Sequence, residues 1–550
     1  MVAYDFQLLL KYLLEQGVTW APKQEIVYRD QVCYTYADMY GRVLRLASAL
    51  QGLGVKEGTK VGVIEWDSHR YLEMYFGIPG MGAILHTINP RLSLENLIYT
   101  TAHAEDEVLI FHEDFLPLVE QLRPHCPSIR KVILITDKKA RMPPFAGGDI
   151  RDIKGVDAEY EELLIGASPR DELPDLDENT QATLSYTTGT TGRPKGVYFT
   201  HRQLVLQTTA GWGSMTAIGN YGGMDKHEVY MPLTPMFHVH AWGLPYWATL
   251  FGFKQVYPGK YDPGMILRLV VEEKVTFSHC VPTILQMVIT APAAKGLDLS
   301  HWKLIIGGAR LTKGLAMAAK ELGICVTAAY GLSETCPLLV LANLKPFMEK
   351  EWDEDKQLDW AIKTGVVMPL VKMRVVGRDG QDVAQDGTET GEIVVRSPWL
   401  TPDYYKDPER SEELWAGGWM HTGDVANVDE YGYIQIVDRL KDLIKSGGEW
   451  ISSVELENTI MAHPKVAECA VIAAHHAKWQ ERPLAIVVPA ADAKDDITPG
   501  EIIEFLQGKV ASWWLPDDVV FVDELPKTSV GKFNKLALRE QFADHELPTQ

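Results

Sequence analysis

Short apolar runs alternate with amphipathic stretches along most of this chain. Lys60–Ile64, Val108–Phe111 and Lys131–Ile135 have the length and composition of buried strands. Asp38–Leu53 has helical spacing and is closed by Gly54, and Tyr71–Gly77 reads as a second helix. Strands follow at Val229–Leu233, Lys303–Ile306 and Ile324–Thr327, and the helix Leu311–Leu322 stops at Gly323, as a C′ glycine would end it. Such alternation predicts sheets covered by helices. Residues 137–180 are crowded with Pro, Gly and Asp and read as loops. Phe347–Trp360 is charge-rich and reads as a solvated helix or loop. Val371–Val376 and Gly391–Arg396 alternate around the turn Arg378-Asp-Gly380, which predicts a smaller β-rich subdomain. Beyond the boundary, capping boxes at Ser452–Glu455 and Thr498–Glu501 open helices, and strands fit Val466–Ala473, Leu484–Val488 and Val519–Val522. The expected fold is α/β: a large N-terminal domain (1–437), a hinge (438–442) and a small, mobile α+β C-terminal domain (443–550).

Composition agrees with more than one core. The chain has 550 residues, 46% apolar and 23% charged. No apolar run approaches the ~18 residues of a membrane span, and Met1-Val-Ala-Tyr-Asp5 lacks the basic start of a signal peptide. Six scattered cysteines without CxxC spacing imply reduced thiols and a cytoplasmic protein. A net charge of −21 argues against nucleic acid as a partner. It also requires any site for an anion to build its own positive potential.

Tyr186-Thr-Thr-Gly-Thr-Thr-Gly-Arg-Pro-Lys-Gly-Val197 carries the strongest chemical signal. Strand-like Ala182–Thr187 precedes it. Strand-like Val197–Phe199 and a capping box, Thr200 to Gln203, follow. Glycines let successive N–H groups form an anion nest, threonine hydroxyls add donors, and Lys195 adds a charge. It is not a Walker A loop, because Pro194 precedes the lysine and Gly196 follows it. A phosphate loop is expected; the alternative is a flexible surface loop.

Further stretches hold polar groups beyond what packing requires. Tyr330-Gly-Leu-Ser-Glu-Thr335 offers an aromatic for a purine, a hydroxyl for phosphate and a carboxylate for Mg2+. Trp419-Met-His-Thr-Gly-Asp424 places a carboxylate after a turn, suited to ribose hydroxyls. Asp438-Arg-Leu-Lys-Asp442 alternates charge at the domain boundary, and Ser446-Gly-Gly-Glu449 is a second glycine-rich loop. Pro526–Lys532 ends in a lysine after glycine. His238 and His240 lie among apolar residues with no partner at metal spacing, so a zinc site is not expected.

Together these stretches resemble the adenylate-forming superfamily of acyl-CoA synthetases, luciferases and peptide-synthetase adenylation domains, from about residue 25 to 540. Met236–Tyr246 and Asp438–Ser453 look most like its medium- to long-chain fatty acyl-CoA synthetases. Thr188 and Ser333 depart from the commoner Ser and Thr but keep the hydroxyl.

The resemblance implies an AMP-forming acid–thiol ligase that uses ATP, Mg2+ and CoA. Its reaction passes through acyl-AMP, with a fatty acid as substrate, or a short, aryl or sulfur-bearing acid as the alternative. A catalytically silent adenylate- or acyl-binding protein of the same fold is the reading from another class; Lys532, Glu334 and Asp424 together speak against it. By resemblance, Thr187, Thr188, Gly189, Thr190, Thr191, Gly192 and Lys195 cradle the β- and γ-phosphates. Tyr330 stacks on adenine in a pocket lined by Gly308, Ala309, Arg310 and Gly331. Ser333 meets the α-phosphate, Glu334 and Thr187 hold Mg2+, and Asp424 takes the ribose with Arg439 nearby. Lys532 bridges the attacking carboxylate and the α-phosphate. Lys441 is the hinge about which Ser446, Gly447, Gly448 and Glu449 are brought to CoA. Trp242 gates the acyl tunnel, and His238 stands between the acyl and pantetheine channels. A homodimer is common in this branch.

Overall fold

The computed structural model describes residues 4–137, 155–187, 193–217, 223–447, 449–490, 493–494, 496–527 and 533–548. Four sheets organise them. The first has seven strands in the order Ala158–Glu159, Lys131–Ile135, Val108–His112, Lys60–Ile64, Ile84–Thr87, Gln181–Tyr186 and Gly196–Thr200. All its pairings are parallel except the last, which is an antiparallel hairpin. Its strands Ile84–Thr87 and Val108–His112 are buried at every position, as cover on both faces of a parallel sheet requires.

The second sheet has nine strands. Its parallel centre runs Val229–Pro232, Phe277–Cys280, Lys303–Ile306 and Cys325–Gly331. Between the two large sheets lies the helix His69–Gly80, in contact with Ile84–Thr87 and Gln181–Tyr186 on one side and Glu25–Tyr28 on the other. All twelve of its residues are buried. Ser68 caps it by accepting from the Tyr71 N–H.

A four-stranded antiparallel sheet follows: Lys372–Val376, Gly391–Arg396, Met420–Val428 and Ile434–Arg439. The last sheet, in the small C-terminal domain, joins Ile444–Ser446, Glu449–Ile451, Val466–His476, Gln480–Pro489 and Asp518–Phe521.

Several local expectations need correction. Residues 137–180 are not all loop: Ala158–Glu159 joins the first sheet and Tyr160–Gly166 is a helix. Gly423 and Asp424 do not form a surface turn; they lie within the strand Met420–Val428, with Asp424 only 4% exposed. Asp438 and Arg439, the first residues of the stretch read as a boundary, end the strand Ile434–Arg439, and Asp438 is 1% exposed. The charge-rich stretch near 347–360 needs no correction: of helix or loop it takes the helix, as Pro346–Glu351 and Glu354–Ala361. Among the described residues no helix is long and apolar enough to cross a membrane.

Candidate active site

The phosphate-loop segment closes on itself at its neck. The Thr187 N–H donates to the Lys195 carbonyl at 2.9 Å, and the Lys195 N–H donates to Thr187 Oγ1 at 3.3 Å. The capping box expected after it is present in both directions: Thr200 N–H to Gln203 Oε1 at 2.8 Å and Gln203 N–H to Thr200 Oγ1 at 3.3 Å. The loop therefore sits between two hairpin strands and ahead of the helix His201–Ala217. Thr188, Gly189, Thr190, Thr191 and Gly192 lie outside the described residues.

The edge strand Gly196–Thr200 is covered by the segment 400–405, which sequence reasoning missed. Gln203 Nε2 donates to the Leu400 carbonyl at 2.6 Å, and Tyr405 N–H donates to the Gly196 carbonyl at 2.9 Å. Tyr198 Oη donates to Asp403 Oδ2 at 2.9 Å. A bare edge is thereby paired, as exposed edges generally must be. The same segment reaches the second sheet, where Thr401 N–H donates to the Glu334 carbonyl at 2.8 Å.

These contacts enclose a cleft of about 750 Å3. Thr187, Lys195, His238, Trp242, Gly308, Tyr330, Gly331, Ser333, Glu334, Arg439 and Lys441 all line it. So do Glu392, Tyr404, Arg410, Glu413, His421 and Lys445, none of which the sequence reading singled out. The cleft opens at the carboxyl ends of Lys303–Ile306 and Cys325–Gly331, where parallel sheets commonly bind ligands. Gly331 is required there: a Cβ would meet the Pro337 carbonyl oxygen at 1.7 Å. The cationic side chains Lys195, Arg410, Arg439, Lys441 and Lys445 outnumber the acids Glu334, Glu392 and Glu413 on the wall. The chain as a whole is net −21, so the cleft is the local positive field that an anion needs.

Register places the ribose-type carboxylate. Asp424 stands directly opposite Arg439 in the four-stranded sheet. Arg439 Nε lies 3.0 Å from Asp424 Oδ1, and the Tyr330 hydroxyl donates to Oδ2 at 2.7 Å. Burial, then the adjacent Asp424 charge, push the Tyr330 phenol well above its ordinary pKa, so it stays a donor. Glu392 holds the strand just before Asp424: Oε1 accepts from the Gly423 N–H at 3.1 Å and Oε2 lies 2.9 Å from His421 Nδ1. Desolvation, then the charge of Arg439, lower Lys441 to about 8.

The apolar end of the cleft has unusual backbone. Val239, His240, Ala241, Trp242 and Gly243 have φ of 45°, 57°, 47°, 60° and 79°, a short left-handed turn. Each non-glycine residue there costs about 1–2 kcal/mol. The turn persists because its approach is clamped. Asp67 Oδ1 accepts from the Met236 N–H at 2.8 Å, and the Tyr75 hydroxyl donates to the Met236 carbonyl. Trp242 then packs beside His279, with ring centroids 5.0 Å apart, and is 5% exposed. His240 points into the core among Tyr75, Phe199 and Tyr246, and burial lowers its pKa to about 3.

Not every expected residue joins the wall. Ala309 and Arg310 are exposed and are not among the lining residues, and neither is Asp424, which is buried behind Tyr330 and Arg439. Ser446 and Gly447 do not line the cleft either. Ser446 Oγ accepts from Arg482 at 3.1 Å, and the Gly447 N–H donates to the Trp479 carbonyl at 2.9 Å. Glu449 begins a strand, while Gly448 and Lys532 lie outside the described residues.

Residues 14–405 match the AMP-binding enzyme family, and residues 455–532 match the C-terminal domain of the same family. The chain belongs to the AMP-binding enzyme family. A long-chain-fatty-acid–CoA ligase of Thermus thermophilus is 42% identical over 98% of this chain and 97% of its own length. A 3-methylmercaptopropionyl-CoA ligase of Ruegeria lacuscaerulensis is 38% identical over 98% of each. The fold is that of an anthranilate CoA ligase solved with anthranoyl-AMP, at a TM-score of 0.82 and 24% identity, covering 98% of this chain and 99% of that one. Within the AMP-binding enzyme family the chain is an acid–thiol ligase.

Proposed function

We propose that this AMP-binding enzyme is an ATP-dependent fatty acid–CoA ligase. One observation carries the reading: groups suited to a nucleoside triphosphate share a single cleft with an indole at its apolar end. A carboxylate is a poor electrophile. Its oxygen attacks the α-phosphorus of ATP, the bond to the β-phosphate oxygen breaks, and pyrophosphate leaves. The CoA thiol then attacks the acyl carbonyl, loses its proton, and displaces AMP.

In this reading Thr187–Lys195 grips the β- and γ-phosphates of the leaving group. Tyr330 stacks on adenine, Asp424 and Arg439 take the ribose, and Ser333 contacts the α-phosphate. Lys532 attends to the α-phosphate where charge concentrates in the transition state, which is where a cation gives differential stabilisation. Residues 1–437 act as the frame, 438–442 as the hinge at Lys441, and 443–550 as the moving part. Rotation brings first Lys532 and then Ser446–Glu449 to the cleft, with His238 between the acyl and pantetheine sides.

Mg2+ fits the residues present. Glu334 is a carboxylate on the cleft wall, and Mg2+ is usually bound through one or two carboxylates plus substrate phosphates. Among the described residues no cluster of three or more His, Cys, Asp or Glu could hold a metal unaided. The ion would supply charge neutralisation at the phosphates, with Glu334 as its protein ligand.

A sulfur-bearing short acid is the second reading, favoured by the likeness to the 3-methylmercaptopropionyl-CoA ligase. Pyrophosphate release over a panel of acids, with and without CoA, decides between them. Release with C8–C16 acids supports the first reading, and release confined to short thioether acids supports the second. No release with any acid overturns both.

A further inference from the structure

Tyr404 stands between two charges of opposite sign. Its hydroxyl lies 2.8 Å from Glu334 Oε1 and 3.4 Å from Lys195 Nζ. A lysine ammonium only donates and a carboxylate only accepts, so the phenol must accept from Lys195 and donate to Glu334. Lys195 Nζ also sits over the ring, 4.4 Å from its centroid, at cation–π distance. The side chain is 5% exposed.

The backbone fixes Tyr404 to both charge-bearing segments. Tyr405 N–H bonds the carbonyl of Gly196, next to Lys195, and Thr401 N–H bonds the carbonyl of Glu334 itself. Tyr404 N–H donates to Ser411 Oγ at 3.0 Å. The phenol hydroxyl thus stands where an ammonium and a carboxylate would otherwise meet.

We infer that Tyr404 is a positioning residue that keeps Lys195 and Glu334 from pairing with each other, so that each remains available to a ligand of opposite charge. The inference rests on the proposed reading of the cleft as a site for ATP and Mg2+. Opposite charges in a poorly solvated cleft attract strongly, and a direct ion pair would occupy the carboxylate. The phenol satisfies one oxygen of Glu334 with a neutral donor and leaves the remaining lone pairs open to a cation. A triphosphate can draw Lys195 off the ring without disturbing that donor.

The test uses Mn2+ as probe in the presence of saturating α,β-methylene-ATP, with free Mn2+ followed by its EPR signal and no turnover. Tyr404→Phe keeps the ring and removes the hydroxyl. It is expected to weaken Mn2+ uptake by about tenfold, the scale of one hydrogen bond to a charged group. Lys195→Met added to Tyr404→Phe is expected to restore most of that loss, because no ammonium remains to occupy Glu334. A purely structural role for Tyr404 would make the two losses add. Additive losses, or a Tyr404→Phe protein that binds Mn2+ within twofold of wild type, overturn the inference and leave the cleft reading standing. Failure of the wild-type protein to take up Mn2+ with the analogue overturns the cleft reading and the inference with it. Should Tyr404→Phe fold poorly, Tyr404→Gln, which keeps a donor, is compared with Tyr404→Leu, which has none. Equal Mn2+ affinity in those two overturns the inference, and tighter uptake by Gln supports it.

Discussion

The Tyr330 hydroxyl donates to Asp424 Oδ2 at 2.7 Å, joining the end of a strand in the nine-stranded sheet to the middle of one in the four-stranded sheet. The aromatic assigned to adenine and the carboxylate assigned to ribose are therefore one unit before any ligand arrives. A hydrogen bond to a charged group contributes about 1.5–3 kcal/mol. Tyr330→Phe keeps the stacking face but leaves Asp424 to Arg439 alone. It is expected to raise the KM for ATP about tenfold with a much smaller change in kcat. Steady-state kinetics of pyrophosphate release check this, and an unchanged KM would mean that the bond does not pre-form the nucleoside pocket.

Lys532→Ala should abolish acyl-AMP formation yet spare thioester formation from supplied acyl-AMP. The chain just beyond it is firmly rooted. Lys535 Nζ lies 2.7 Å from Glu457 and 2.6 Å from Ser453 Oγ, and Ser453 in turn donates to Asp438 Oδ2 at 2.6 Å. Assaying the two half-reactions separately measures the outcome. Equal loss in both would remove Lys532 from the first step.

Gly307 backs the indole of Trp242. A Cβ there would lie 3.0 Å from Trp242 Cη2 and 3.1 Å from the Ala329 carbonyl oxygen. Overpacking of this kind typically costs about 1–3 kcal/mol. Gly307→Ala should push the ring and lower kcat/KM for the acid by about tenfold, with the loss differing between short and long acids. A uniform loss across acid lengths would argue that Trp242 does not gate the acyl side.

Asp67 gives a pH-dependent prediction. Burial raises its carboxyl to about 7, against an ordinary 3.8, while Tyr261 and the Met236 N–H pull the other way. A folded pKa above the unfolded value means that stability from this group is full below about 3.8. It is lost as pH rises towards 7. Asp67→Asn does not titrate and retains an acceptor for the Met236 N–H. Its melting temperature relative to wild type should therefore climb between pH 5 and pH 8. A difference that stays flat over that range would place the carboxyl's titration elsewhere.

The hairpin of Gln181–Tyr186 and Gly196–Thr200 was legible because its signals are local. Strand composition, glycine and threonine density and the Thr200–Gln203 box all lie within about twenty residues. Tyr404 was not legible, because nothing near it in sequence says that Glu334 and Lys195 will close around it. The setting of Asp424 was not legible: Thr-Gly-Asp looks like a turn until its strand pairs with Gly391–Arg396 and Ile434–Arg439. The left-handed turn was hidden altogether. Val239, His240, Ala241 and Trp242 give no hint of positive φ, and only the tertiary clamp at Met236 sustains it.

That clamp gives the helix His69–Gly80 a further consequence. It bears Tyr75, begins two residues after Asp67, and is buried along its whole length. Misplacement of the Val239–Gly243 turn that carries Trp242 and loss of folding therefore share one mechanical origin. Random mutagenesis scored for temperature-sensitive ligase activity should return a dense cluster of hits along this single rod, none of whose residues lines the cleft, and few on the solvent-facing helices around it.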